Sequence, residues 1–290
     1  MTTVAIIGAG EIGGAAAYAL AAGGQARRLV IIDAAADVAA GKALDIQQAG
    51  AIMAFHAHLE GAGDAARAVG CDVCVIADDA GGSTRGPDKV RATDADTGDA
   101  LLRVRQLAGY IGDVPIVFAA AGHAALLAAA AVDLRLPRRQ LIGSAPHAVA
   151  SAITAIVAME AECSPSDIML TVLGTPPGGL VVPWSEASIG GFALQQVLPQ
   201  VTLARIDARV KALWPPGPYA LGTAAADVVN ALLSSSRRFL SVMTQLQGEF
   251  GVSRRPGIVS ARLGTGGIQQ IRQPELTTRE RVLVESALGA

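Results

Sequence analysis

The residues with the clearest capacity for chemistry lie near the start of the chain. Gly8-Ala9-Gly10-Glu11-Ile12-Gly13 is a G-x-G-x-x-G that directly follows an apolar run at residues 4–7 and opens a helical pattern. In such a loop the first glycine permits a tight turn, the second lets backbone approach a pyrophosphate, and the third lets helix pack on strand. The helix N-terminus adds free N–H groups and a partial positive charge, both suited to phosphate oxygens. Twenty residues after Gly13, Asp33 ends a second apolar run, where a carboxylate accepts hydrogen bonds from an adenosine ribose. Gly8, Gly10, Glu11, Ile12, Gly13 and Asp33 are therefore the candidate cofactor-binding residues. Ala34-Ala35-Ala36 brings no cation for a 2′-phosphate, which favours NAD over NADP. One feature points the other way. Asp78 and Asp79 follow the apolar run at residues 73–77, and two carboxylates there oppose a pyrophosphate by like-charge repulsion unless they point away or hold a cation.

Other reactive side chains are fewer. Cys71 and Cys74 form a C-x-x-C, but they fall in an apolar segment that reads as a buried strand, where alternation sends them to opposite faces. They are expected to pack as small hydrophobes. His56 and His58 alternate on a strand-like segment and share one face, yet no third ligand stands near them, so no metal site is assigned. His123 and His147 both stand at predicted helix starts.

The elements that must position these groups show a βαβ rhythm. Strands are predicted at residues 4–7, 28–32, 73–77, 115–119 and 140–142, with helices at 10–22, 39–49 and 97–108. Beyond about residue 145 the pattern changes to a helix ending near 162, short β-like runs at 169–173 and 180–182, a helix at 221–234, and a terminal helix from 277. The fold class is thus α/β: a Rossmann-type doubly wound parallel sheet at residues 1–145 with a second α+β domain at 146–290. Half the residues are apolar and only 3% aromatic, so the core must be filled by Ala, Val, Ile and Leu. A net charge of -2 gives no pull toward nucleic acid. No basic region precedes residues 4–7, and the richest apolar stretch, at 124–132, is short of the ~20 residues of a membrane span. A cytoplasmic protein without membrane or nucleic-acid partners is expected.

The glycine loop, Asp33 and above all Gly41-Lys42-Ala43-Leu44-Asp45-Ile46 resemble the lactate/malate dehydrogenase family, where a G-x-A-L-D-L helix follows the ribose-binding acid. The resemblance continues through Leu141-Ile142-Gly143, Val172-Leu173-Gly174, Gln247-Gly248-Glu249-Phe250-Gly251-Val252 and Leu263-Gly264-x-x-Gly267-Ile268. It implies NAD as cofactor, a small-molecule ligand in the cleft, and a homo-oligomer, dimer or tetramer, paired through the helix at residues 41–49.

At the family's catalytic positions the sequence departs. The family's loop reads G-E-H-G-D, with the His as proton acid/base; the matching segment is Gly174-Thr175-Pro176-Pro177-Gly178. Its L-D-x-x-R supplies an Asp that orients the His and an Arg that clamps the substrate carboxylate; the matching residues are Val149 and Ala152. Its T-N-P turn has become Ala119-Ala120-Ala121. Without a positioned acid, hydride transfer forgoes an acceleration of ~10²–10⁴-fold, and without the Arg fork a carboxylate has no bidentate anchor. The resemblance therefore leaves two main readings open, beside a third in which the cleft binds a pterin- or nucleotide-like molecule for non-redox chemistry. One is an NAD-dependent oxidoreductase acting on something other than a simple 2-hydroxy acid. The other is a catalytically inactive pseudoenzyme serving as nucleotide sensor or binding protein. For the first, the catalytic candidates are His147, Tyr219 near the pocket floor, and Arg85 in Thr84-Arg85-Gly86-Pro87-Asp88-Lys89, a segment similar to the family's R-K-P-G-x-x-R lid.

Overall fold

The computed structural model describes residues 2–78 and 94–289; the lid-like segment with Arg85, and Asp79, lie outside the described residues. The first part runs β1 (Thr3–Ile7), α1 (Glu11–Gly23), β2 (Arg28–Ile32), α2 (Ala36–Met53), β3 (His58–Ala62), β4 (Val73–Ile76), α3 (Asp94–Ile111), β5 (Ile116–Phe118), α4 (Ala124–Val132) and β6 (Leu141–Gly143). These six strands are parallel in the order β3-β2-β1-β4-β5-β6. That is the doubly wound order, with its reversal between β1 and β4, where ligands bind beyond the carboxyl ends of the strands.

The strand sequences explain why the sheet is covered on both sides. In β1, Val4 and Ile6 enter one hydrophobic cluster while Ala5 and Ile7 enter the other. β2 divides in the same way, with Leu29 and Ile31 opposite Val30 and Ile32. Period-two alternation with apolar residues on both faces is what a buried parallel sheet requires. Small residues let the helices lie close. A Cβ on Gly222 would come 2.5 Å from the Ala15 Cβ, so that glycine sets how near its helix approaches α1. α1 stops at Gly24, which adopts the left-handed conformation (φ 70°).

The rest of the chain contains α5 (Ala145–Ala161), β7 (Ile168–Met169), β8 (Leu173–Thr175), β9 (Gly179–Val181), β10 (Ser188–Ile189), β11 (Phe192–Ala193), α6 (Leu194–Val197), α7 (Gln200–Val210), α8 (Pro218–Ser234), β12 (Phe239–Gln247), β13 (Ser253–Gly264), β14 (Gly267–Arg272) and α9 (Thr278–Leu288). β12 adds antiparallel to β6 through Met243 and Gly143, and β13, β8 and β9 continue the same sheet. β11, β10 and β7 form a small separate sheet. The fold class is the expected one: a Rossmann-type parallel sheet with an antiparallel α+β part.

Two local expectations need correction. The apolar run at 169–173 is not one strand: β7 joins the small sheet and β8 the large one, with the Val172 N–H between them donating to Ser241 Oγ at 3.0 Å. Cys71 and Cys74 do not face opposite ways; both enter the same cluster, because Cys71 precedes β4 and escapes its alternation.

Candidate functional site

The loop between β1 and α1 is built on glycine for steric reasons. Gly8 has φ +105°, and a Cβ on Gly13 would sit 1.9 Å from the Gly8 carbonyl oxygen, so helix and strand could not close on each other. The first helical turn is fastened by the Gly14 N–H donating to the Gly10 carbonyl at 3.0 Å. Gly10 caps the helix with no side chain of its own, leaving the first-turn N–H groups to other partners.

Two carboxylates come to that loop. Asp33, just past β2, accepts the Ala9 N–H on Oδ2 at 2.8 Å and the Ala35 N–H on Oδ1 at 3.0 Å. Asp78, just past β4, accepts the Gly10 and Gly13 N–H groups on Oδ2 at 3.0 and 3.1 Å, and the Ile12 N–H on Oδ1 at 3.3 Å. The structure thus gathers Gly8, Gly10, Glu11, Ile12, Gly13 and Asp33 in one place, with Glu11 exposed at the helix start and Ile12 packed against the core. Asp78 does not point away from the loop. Its carboxylate lies where a phosphate group would accept the same N–H bonds.

Beside Asp33 opens a crevice of about 390 Å3, within the size range of small-molecule sites. Ile7, Ile32, Ile76, Val104 and Leu107 form its apolar walls, with Asp33 and Arg103 among its polar groups. It has the apolar walls and edge carboxylate that an adenosine requires. The adenosine part of NAD therefore fits the residues present. The diphosphate part fits only once Asp78 leaves the loop.

His123 belongs to the same neighbourhood. Its Nδ1 accepts the Ala120 N–H at 3.3 Å, and its ring is also hydrogen-bonded to the Asp78 backbone. Burial lowers its pKa to about 4, overriding the Asp78 contact that favours the ring proton. It is therefore neutral at pH 7 and holds backbone in place. It lines a recess of only about 10 Å3 with Phe118, Ala121, Pro146, Trp214 and Met243, room for about one water.

His147 has a different partner set. Its Nε2 lies 2.8 Å from Asp227 Oδ2, and Asp227 Oδ1 accepts from Arg238 at 2.7 Å. Hydrogen bonding from His147 is the main cause holding the Asp227 carboxyl near 2, aided by Arg238 and against the opposing effect of burial. His147 opens α5, Asp227 lies midway along α8, and Arg238 comes just before β12. Tyr219, in the first turn of α8, is 83% exposed and joins no such network among the described residues. Arg85 lies outside the described residues.

Sequence reasoning missed Asp227 and Arg238. The available signal was a lone acid inside the apolar stretch Ala224-Ala225-Ala226-Asp227-Val228-Val229, a position that asks for a partner. Burial pushes the Cys71 thiol up to about 11 and Cys74 well above its usual range, so neither offers a thiolate for redox chemistry or ligation. Among the described residues no group of three or more His, Cys, Asp or Glu is placed to hold a metal, and no helix is long and apolar enough to cross a membrane.

Comparison with known proteins places this geometry. Residues 2–96 match the lactate/malate dehydrogenase NAD binding domain. A malate dehydrogenase of Thermomicrobium roseum is 30% identical over 305 residues, spanning 99% of this chain and 95% of the relative. Among solved structures, a minor L-lactate dehydrogenase of Enterococcus mundtii superposes with a TM-score of 0.90 at 20% identity, over 99% of this chain and 95% of that one. A Cryptosporidium parvum lactate dehydrogenase, solved with lactic acid and nicotinamide adenine dinucleotide, gives 0.88 at 22% identity over the same shares.

Proposed function

The chain belongs to the lactate/malate dehydrogenase family, and on that footing we propose that it is an NAD(H)-dependent oxidoreductase acting on a substrate other than a simple 2-hydroxy acid. The carrying observation is the His147–Asp227 pair at 2.8 Å, a carboxylate-oriented imidazole assembled from residues foreign to the family's motif positions. A His held through one ring nitrogen keeps a defined tautomer and leaves the other nitrogen for proton transfer. His147 is then the acid/base, and Asp227 its positioning residue, itself fastened by Arg238. NAD, when bound, supplies the hydride chemistry, with its adenosine half held at Asp33 and the adjoining crevice. Pro176, Val149 and Ala152 in place of the family's His, Asp and Arg remove that family's anchor for a carboxylate substrate. In this reading residues 1–145 are the nucleotide half and 146–290 the substrate half. Leu44 and Ile52, both exposed on α2, supply apolar surface for self-association into a dimer or tetramer.

A second reading has its own support. Asp78 in the phosphate position favours a non-catalytic nucleotide sensor, in which occupancy of the site is the signal.

NADH fluorescence titration, followed by carbonyl and alcohol panels monitored through the reduced nicotinamide, separates the two. Turnover that His147→Ala removes while NADH binding persists supports the enzyme. Binding without turnover supports the sensor. Robust oxidation of malate or lactate contradicts the substrate assignment.

A further inference from the structure

We propose that Asp78 decides which nucleotides this site accepts: a nucleoside enters the crevice uncontested, whereas a dinucleotide binds only by expelling the Asp78 carboxylate from the glycine loop. The inference rests on the NAD-binding reading above and goes beyond it by naming the residue that sets the affinity. Its basis is geometric. The Gly10, Ile12 and Gly13 N–H groups all converge on one carboxylate, over chain separations of 65 to 68 residues. These are the donors a diphosphate needs, because they are the first-turn groups with no partner inside the helix.

The Asp78 side chain fills the space that Gly8 and Gly10 leave open. A Cβ on Gly10 would fall 2.6 Å from Asp78 Cγ, and one on Gly8 would fall 2.9 Å from the Asp78 backbone nitrogen. The openness that glycine normally gives to an incoming phosphate is here taken up by the chain's own side chain. A phosphate oxygen and this carboxylate cannot share the donors, and their charges repel at such range.

The backbone beneath Asp78 is tied down. The Ala77 N–H donates to the Ile7 carbonyl at 2.9 Å, the Ala119 N–H donates to the Ile76 carbonyl at 2.9 Å, and the buried His123 ring bonds the Asp78 backbone. A dinucleotide must therefore displace the side chain itself. The crevice beside Asp33 lies outside this contest, since its walls come from β1, β2, β4 and α3. Adenosine carries no phosphate and makes no demand on the loop.

The test is calorimetric titration of the full chain with adenosine and with NADH, in the wild type, Asp78→Ala and Asp78→Asn. Asp78→Ala is expected to bind NADH about tenfold or more tightly than the wild type, because charge-assisted contacts no longer have to be broken. Asp78→Asn should fall between them, keeping the shape but not the charge; it also serves if the alanine variant folds poorly. Adenosine affinity should be the same in all three. Equal NADH affinity in all three overturns the proposal while leaving NAD binding intact, and so does a parallel gain for adenosine and NADH. NADH bound by none of them, with all three folded by circular dichroism, overturns the NAD reading itself and the proposal with it.

Discussion

β2 and β4 flank β1 on either side, and each is followed by an aspartate that turns back onto the loop after β1. The two residues look equivalent in composition and reach, yet they do opposite things. Asp33 takes the Ala9 N–H with one oxygen and the Ala35 N–H with the other, and stands at the rim of an open crevice. It leaves the crevice beside it open. Asp78 takes the Gly10, Ile12 and Gly13 N–H groups and stands in the ligand's place. A carboxylate beside a phosphate-binding loop is thus ambiguous until its orientation is known. The orientation of that carboxylate, and not the glycine pattern alone, decides whether the loop's N–H groups are open to a phosphate.

Substitutions can break or sharpen this contrast. Removing the shared platform has the largest effect. Gly13→Ala places a methyl 1.9 Å from the Gly8 carbonyl oxygen and is expected to cost about 3 kcal/mol or more, read as a fall in the urea midpoint. An unchanged midpoint would show that the loop yields easily and positions neither aspartate. Next comes Asp33→Ala, which removes the acceptor at the crevice rim. Adenosine and NADH should both weaken, by about 2 kcal/mol, on the scale of a hydrogen bond to a charged group. If adenosine affinity survives, the crevice is not the nucleoside site.

Asp78→Ala should have effects of opposite sign in the two states. The free protein loses an acceptor for the first helical turn and about 1 kcal/mol of stability, as with other lost helix caps. The thermal shift caused by NADH becomes larger than in the wild type. The same sign in both measurements would make Asp78 purely structural.

The smallest effect concerns the His147–Asp227–Arg238 set. The Asp227 carboxyl is held near 2, against an ordinary value of 3.8, chiefly by His147. Folding therefore favours its ionised form. That contribution is complete above about pH 4 and fades as pH falls toward 2. Asp227→Asn should flatten the acid loss of stability in that window, modestly, because the pair is partly open to solvent. An unaltered acid profile would mean the pair contributes little to folding.

Much of the nucleotide half was legible in the sequence because its rules are local. The glycine spacing dictates the turn, apolar runs bounded by turn residues give the strands, and Asp33 falls at the end of one of them. The direction of Asp78 was not legible, because its partners lie 65 or more residues away and its orientation depends on how β1 and β4 pair. The His147–Asp227–Arg238 set was hidden for the same reason: α5, α8 and the start of β12 bring together residues 80 and 11 positions apart. Cys71 and Cys74 mislead in a smaller way, since alternation holds only inside a strand and Cys71 precedes it.

A crystal structure of the chain with NADH bound tests the central claim most directly. The dinucleotide's phosphate oxygens should take the Gly10, Ile12 and Gly13 N–H groups, with the Asp78 carboxylate swung clear and adenosine in the crevice beside Asp33. A bound dinucleotide with the Asp78 carboxylate still seated on those three N–H groups would contradict it.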